Sequence, residues 1–247
     1  MKYKDKWKPN KFVYKKGKLR ASQDPHEVGI PSRLAADLVA QFYDLHLNKY
    51  SNGRLLDLGC GKIPLFEVYK NSVKECICVD WENTTHKNIH IDMFVDLNKP
   101  LPFSENEFDT IILSDVLEHI MNPSLLWDEM SRILKPGGVL IMNVPFHYSI
   151  HEIPYDYFRY TRFALQNFAQ NSNFEIIIIE ELGGAIEVLT DFISKIICYI
   201  PKIGKLIAIL LQKLNWVFLK TTIGQKVLKR TSNTFTIGYG LIARKIH

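Results

Sequence analysis

The eighteen residues from Val144 to Thr161, VPFHYSIHEIPYDYFRYT, carry two histidines, two acids, one arginine and six aromatic rings. Imidazole exchanges a proton near neutral pH, so His147 or His151 can act as a base and Asp156 can orient one of them. Tyr155, Tyr157 and Tyr160, with Phe158, can wall a small site, and Arg159 can grip a phosphate or carboxylate. The stretch also suits a structural loop in which Arg159 pairs with Asp156 and the rings are core. A second signature lies upstream. LLDLGCGKIP (55–64) is an apolar run that ends in Gly59-Cys60-Gly61, where glycines let backbone N–H groups approach a ligand. Nineteen residues after Gly61, the run CICVD delivers Asp80, which is placed to accept from both hydroxyls of a ribose.

Two nucleotide-binding patterns are excluded. A G-x-G-x-x-G fingerprint would put its third glycine at position 64, which is Pro64, and no G-x-x-x-x-G-K-[ST] loop occurs. The ligand expected is a nucleotide without a diphosphate.

The elements that must position these residues alternate. Strands are expected at 54–59, 75–80, 88–93, 108–113, 138–144 and 174–181, and helices at 31–47, 64–71, 122–134 and 161–171. Strands that are apolar on consecutive positions are buried on both faces, as in a parallel sheet covered by helices. NTFTIGYGLIARK (233–245) is a further strand. The division expected is a basic arm and helix at 1–50, of which residues 1–30 read as flexible, a core at 51–182 and 233–247, and an amphipathic helical insertion at 183–232 broken near Pro201 and Gly204.

The net charge of +5 is segregated: +8 over residues 1–20, −11 over 21–182 and +6 over 183–232. An acidic body with a basic tail and a basic apolar segment fits a membrane surface better than a nucleic-acid groove. Lysines at 195, 202, 205, 213 and 220 interrupt the apolar run, so it does not read as a bilayer span. The four cysteines lack paired zinc-site spacing and read as reduced thiols of a cytoplasmic protein. No apolar segment follows the N-terminal charges, so no signal peptide is expected.

LLDLGCG, the acidic end of CICVD, and DLNKPLPFSENEFDTIILSDVLEHIMNPSLLWDEMSRILKPGGVLIMNVP (96–145) together resemble the class I S-adenosylmethionine-dependent methyltransferases of type 11. The resemblance implies an α/β, Rossmann-like sheet of seven strands, mostly parallel with an antiparallel last strand, here with a helical insertion before that strand. It implies S-adenosyl-L-methionine as cofactor. Gly59 and Gly61 would pass its methionine portion, Asp57 would orient that loop, and Asp80 would hold the ribose. Asp96 would accept from the adenine amino group beside Leu97, and Ser114 and Asp115 would border the reacting methyl. Many members of that family have Gly where Ile63 stands, which leaves the loop path open at that point. His119, in VLEHI, reads as a helix-packing histidine.

Displacement at a sulfonium carbon releases a neutral thioether, so the reaction needs alignment and no metal ligands are assigned. LSDVLEH lacks the Asn/Asp-Pro-Pro-aromatic motif of exocyclic-amine methylation, and no Pro-Cys pair appears, so nucleic acid is not expected as substrate. HEIPYDYFRYT resembles bacterial methyltransferases of cell-surface saccharide pathways, which implies O-methylation of a saccharide, a lipid-linked saccharide or another small molecule. The segment 183–220 would touch the inner face of the membrane peripherally, or form a lid or dimer interface. A non-catalytic cofactor-binding scaffold and an RNA-directed enzyme are the rival readings.

Overall fold

The computed structural model describes residues 1–83 and 88–246. Near its start, β1 (Phe12–Lys15) and β2 (Lys18–Ala21) form an antiparallel hairpin. Its turn is Lys16-Gly17, both at positive φ, as a two-residue hairpin turn requires. The segment expected to be a flexible arm is therefore packed: Phe12, Leu19 and Ala21 are buried against α1 (Arg33–Tyr50), and the Ala21 N–H donates to Asp37. Four-residue strands are too short to leave a periodic signal.

The main sheet follows the expected alternation. β3 (Arg54–Leu58), the short helix α2 (Phe66–Tyr69), β4 (Glu75–Asp80), a two-residue β5 (Met93–Phe94), β6 (Phe108–Ser114), α3 (Pro123–Ile133), β7 (Leu134–Pro145), α4 (Arg162–Asn171) and β8 (Phe174–Leu182) come in sequence. The strand expected at 88–93 is thus reduced to Met93–Phe94. Three helices follow, α5 (Ala185–Ile197), α6 (Gly204–Leu219) and α7 (Thr222–Thr231), before β9 (Gly238–Lys245). The order across the sheet is β5-β4-β3-β6-β7-β9-β8. β3 to β7 are parallel, and β9 runs antiparallel between β7 and β8.

Alternate strand residues feed two cores. Leu56, Leu58, Ile111, Leu113, Leu140 and Met142 face α3 and α4 around Trp127, which stacks on Phe168. Leu55, Cys78, Ile112, Ile141 and Ile242 face α1 and the hairpin. Phe42 lies so close to β9 that a Cβ at Gly240 would sit 2.4 Å from its ring.

The insertion is built inside out. On α5 the buried side chains include Glu187, Asp191 and Ser194, and on α6 they include Gln212 and Asn215. Leu189, Ile193, Ile196, Ile203, Leu206, Leu210, Leu214 and Val217 point outward. The insertion seats on the N-terminal segment through Gln212, which donates to the Ile30 carbonyl, and through Arg20 over the Trp216 ring. No single helix among the described residues is long and apolar enough to cross a membrane.

Candidate active site

Sheet order reverses between β3 and β6, and ligands of open α/β sheets bind at the carboxyl ends of such strands. The turn leaving β3 holds Gly59, Gly61 and Ile63, all at positive φ. At Gly59 a Cβ would meet Val116 at 2.6 Å, so the turn admits no side chain there. Asp80, at the end of β4, accepts from the N–H of Gly61 at 3.0 Å and of Trp81 at 2.7 Å, which fixes its carboxylate beside the turn. Asp57 is buried and accepts from Tyr69 at 3.2 Å. Burial, opposed by that bond and reinforced by the charge of Asp80, pushes its carboxyl up to about 7. Asp96 is held below the usual carboxylate range: burial opposes its charge, but Asn98 and Lys99 outweigh it. Leu97 is buried beside it. A left-handed glycine turn, a buried carboxylate one strand away and an acid at the next strand end suit a nucleoside, as expected of a cofactor without a diphosphate.

The N-terminal segment clamps this turn. Asn10 donates to the Lys62 carbonyl at 2.7 Å and Trp7 Nε1 to the Ile63 carbonyl at 3.2 Å. Lys11 then reaches Asp115 at 2.8 Å, just past β6. Burial disfavours the ammonium, yet Asp115 outweighs it and leaves Lys11 raised. Asp115 also accepts from the Asn143 amide, whose oxygen takes the hydroxyls of Tyr43 at 2.8 Å and Ser114 at 2.9 Å. Neither Lys11 nor Tyr43 carried a signal in the sequence. Asn143 did, as the one amide in the apolar run GVLIMNV.

Beside Asp115 opens a cavity of about 210 Å³, lined on its polar side by Lys11, Glu118, Tyr148, His151 and Glu152 and on its apolar side by residues of α1, β7 and β9. Of the proposed bases, His151 reaches this cavity. Burial holds it below the ordinary imidazole value despite Asp156. His147 instead turns its Nδ1 to the Thr236 carbonyl at 2.8 Å, between Phe146 and Phe235. Asp156 takes a forked pair of bonds from Arg159, at 2.5 and 2.7 Å, and one from the His151 N–H. Burial raises its carboxyl, but these donors bring it to about 2. Arg159 also donates to the carbonyls of Ser149 and Phe158, so its guanidinium braces the loop and does not face the cavity.

The expected aromatic wall is dispersed. Tyr160 is buried and donates to the Leu117 carbonyl, Tyr157 and Phe158 lie partly exposed, and Tyr155 meets Trp81 edge-on at 5.0 Å. None of these rings lines the cavity; Tyr148 does, with its hydroxyl on Ser32. Glu118, absent from the sequence reading, is wholly buried at the cavity edge in a 3-10 turn, Leu117–His119. Burial, with the charge of Asp115 added, pushes its carboxyl well up.

Residues 56–142 match the family model described as a methyltransferase domain, of type 11. An uncharacterized protein of Methanocaldococcus jannaschii is 28% identical over 153 residues, covering 57% of this chain and 58% of its own. An uncharacterized methyltransferase of Mycobacterium leprae is 29% identical over 135 residues, 49% of each chain. The chain thus spans about half the length of the curated relatives it matches. Among solved structures, the [4+2]-cyclase SpnF is 19% identical with a TM-score of 0.54, covering 86% of this chain and 82% of its own. An S-adenosylmethionine dependent methyltransferase from Mesorhizobium loti is 14% identical with a TM-score of 0.52, covering 84% and 100%. At such identities the likeness is one of fold. Sheet order, glycine turn and matched segment agree: residues 56–142 are similar to a methyltransferase domain and lie in a seven-stranded, mostly parallel sheet of the kind the resemblance implies.

Proposed function

We propose that the protein transfers the methyl group of S-adenosylmethionine to an oxygen of a saccharide, a lipid-linked saccharide or another small molecule, working at a membrane surface. One observation carries the reading: the cavity beside Asp115 is sized for a small molecule and sets Glu118 and His151 opposite an apolar wall. An oxygen acceptor must lose a proton as it attacks, and titratable groups are what it needs nearby. In this reading Gly59 and Gly61 pass the methionine portion, Asp80 holds the ribose, Asp96 and Leu97 frame the adenine, and Ser114 and Asp115 border the methyl. Bound cofactor supplies an electrophilic methyl carbon on a sulfur that leaves neutral. The chain's own task is to align the acceptor, keep it dry and relieve it of its proton.

The insertion supports the membrane part. Its acids, Glu187 and Asp191, are buried, while Lys202, Lys205, Lys213, Lys220, Lys226, Lys229 and Arg230 are exposed around the outward apolar stripe. Such a surface matches an anionic lipid interface, each cation adding ~1 kcal/mol near it. The test is incubation of the protein with methyl-labelled cofactor, cell lysate and membranes, beside Asp80→Ala. Label entering the organic phase with the wild type alone supports a lipid-linked acceptor, and aqueous label a free one. No label above the variant in either phase would overturn the enzymatic reading.

A further inference from the structure

We infer that Glu118, His119 and His151 form a binding site for one divalent transition-metal cation at the polar edge of the cavity. Their ligand atoms all lie within 4.8 Å of one another. Glu118 is fully buried, and neither carboxylate oxygen has a hydrogen-bond partner among the described residues. Leaving such a group without a partner is costly whether it is ionised or protonated, so the carboxyl calls for one. The cations of this region are spent elsewhere: Arg159 on Asp156, Lys11 on Asp115.

In their neutral forms the two imidazoles do not answer it either. His119 Nδ1 lies 2.7 Å from the Tyr155 carbonyl, which only accepts, so Nδ1 carries the hydrogen. In the neutral ring Nε2 is then a bare lone pair, and it faces Glu118 Oε1 at 3.7 Å. His151 is placed similarly but has no hydrogen bond on its far nitrogen. Its Nδ1 is 3.2 Å from Asp156 Oδ2, a charged contact off the line of a good hydrogen bond, and its Nε2 is 3.8 Å from the same Oε1. The rings meet edge to face, with centroids 4.9 Å apart, so their nitrogens approach from different directions.

With both rings neutral and protonated on Nδ1, three electron-pair donors converge, His119 backed by the Tyr155 carbonyl and His151 lying against Asp156. That backing is what orients metal-binding histidines. A tetrahedral ion with bonds of about 2.1 Å would set its ligands roughly 3.4 Å apart, so the Glu118–histidine gaps need close by only a few tenths of an ångström. Two imidazoles and one carboxylate suit Zn²⁺ or Co²⁺ rather than Mg²⁺ or Ca²⁺, which prefer all-oxygen shells. Glu118 and His151 both line the cavity, so a remaining coordination position would open into it. An ion there would polarise an acceptor hydroxyl. That consequence alone rests on the oxygen-acceptor reading; the site does not.

The test uses the full chain without a histidine tag, stripped with chelator and titrated with Co²⁺ by visible absorption and with Zn²⁺ by calorimetry, in the absence of cofactor and acceptor. The expected result is one equivalent bound with the d–d bands of a low-symmetry site. His151→Ala, in a partly exposed loop, should weaken binding at least tenfold, and His147→Ala should leave it unchanged. Glu118→Gln tests the third ligand, with circular dichroism to establish that it folds. No saturable binding by the wild type, or equal binding by wild type and His151→Ala, would overturn the site. A protein that binds the ion but methylates nothing would leave the site standing and sink the proposed function.

Discussion

Ile63 offers a sharp test of the glycine turn after β3. Its φ is +55°, yet its side chain is wholly buried. A β-branched residue in the left-handed region is strained, by about 1–3 kcal/mol. Burial holds it there, with its N–H on the Cys60 carbonyl at 2.7 Å and its own carbonyl under Trp7. Emptying the site by Ile63→Ala or Ile63→Gly should lower stability by roughly 2–5 kcal/mol. The order of the two variants is the informative part. In ordinary helix or strand, Gly is less stable than Ala by about 0.5–1 kcal/mol. At a left-handed position Ala keeps a Cβ penalty of about 1–2 kcal/mol that Gly lacks. The usual order should therefore invert, with Ile63→Gly the more stable by roughly 0.5–1 kcal/mol. Urea denaturation followed by circular dichroism resolves such a gap. Should Ile63→Ala equal or exceed Ile63→Gly, the left-handed geometry at 63 is wrong, and so is the turn path that presents Gly61 to a ligand.

Three further outcomes can be measured. Asp57 has its carboxyl raised in the folded chain to about 7, so its ionised form is the disfavoured one there. The resulting penalty is absent where the group is protonated in both states, below about pH 4, and grows until the pH passes about 7; Asp57→Asn should therefore gain stability relative to wild type between pH 5 and pH 8, by at most ~4 kcal/mol, and a pH-independent difference in denaturation midpoint would refute the shift. Asn143→Leu should destabilise by about 2–4 kcal/mol, because it strands the hydroxyls of Tyr43 and Ser114 and one oxygen of Asp115; a thermal melt within error of wild type would deny the network. Leu206 and Leu210 are 69% and 55% exposed on the outward stripe, and each is worth about 1.5–3 kcal/mol when buried in lipid, so Leu206→Glu with Leu210→Glu should cut flotation on anionic vesicles thirtyfold or more. Equal flotation of that variant would remove the membrane from the proposed function.

Much of the fold was legible because its signals are local. RLLDL and TIILS are apolar on consecutive positions since both faces of their strands are covered, and the glycine turn and Asp80 stand at strand ends in one short segment. The hairpin at 12–21 was hidden by its brevity, and β5 by having two residues. On α5 the helical period was readable, but the period alone does not say which side faces inward. There three of the four buried residues, Glu187, Asp191 and Ser194, are polar, beside Val188. The remaining gaps are contacts between residues far apart in the chain. Lys11 meets Asp115 across 104 positions, and His151 meets Glu118 from a loop beyond β7. His119, read from its neighbours as a packing residue, sits on a 3-10 turn with one nitrogen on a distant carbonyl.

The same division separates what the matched domain explains from what it does not. Of the residues lining the cavity, only Asp115 and Glu118 fall within the matched segment 56–142. The rest come from the N-terminal segment and α1, from the end of β7 and the loop after it, and from Leu182, Ile237 and Gly238 around the insertion. The insertion also touches this wall directly, since Lys195, paired with Asp191, lies over the Tyr148 ring at 3.6 Å. Under the proposed function, cofactor handling would rest on residues inside the matched segment, while the acceptor would meet a wall assembled almost wholly outside it. A sequence match confined to 56–142 can therefore carry the reaction and stay silent on the acceptor. Exchanging residues 27–39 or the insertion between relatives should change which molecule is methylated and leave cofactor affinity in place.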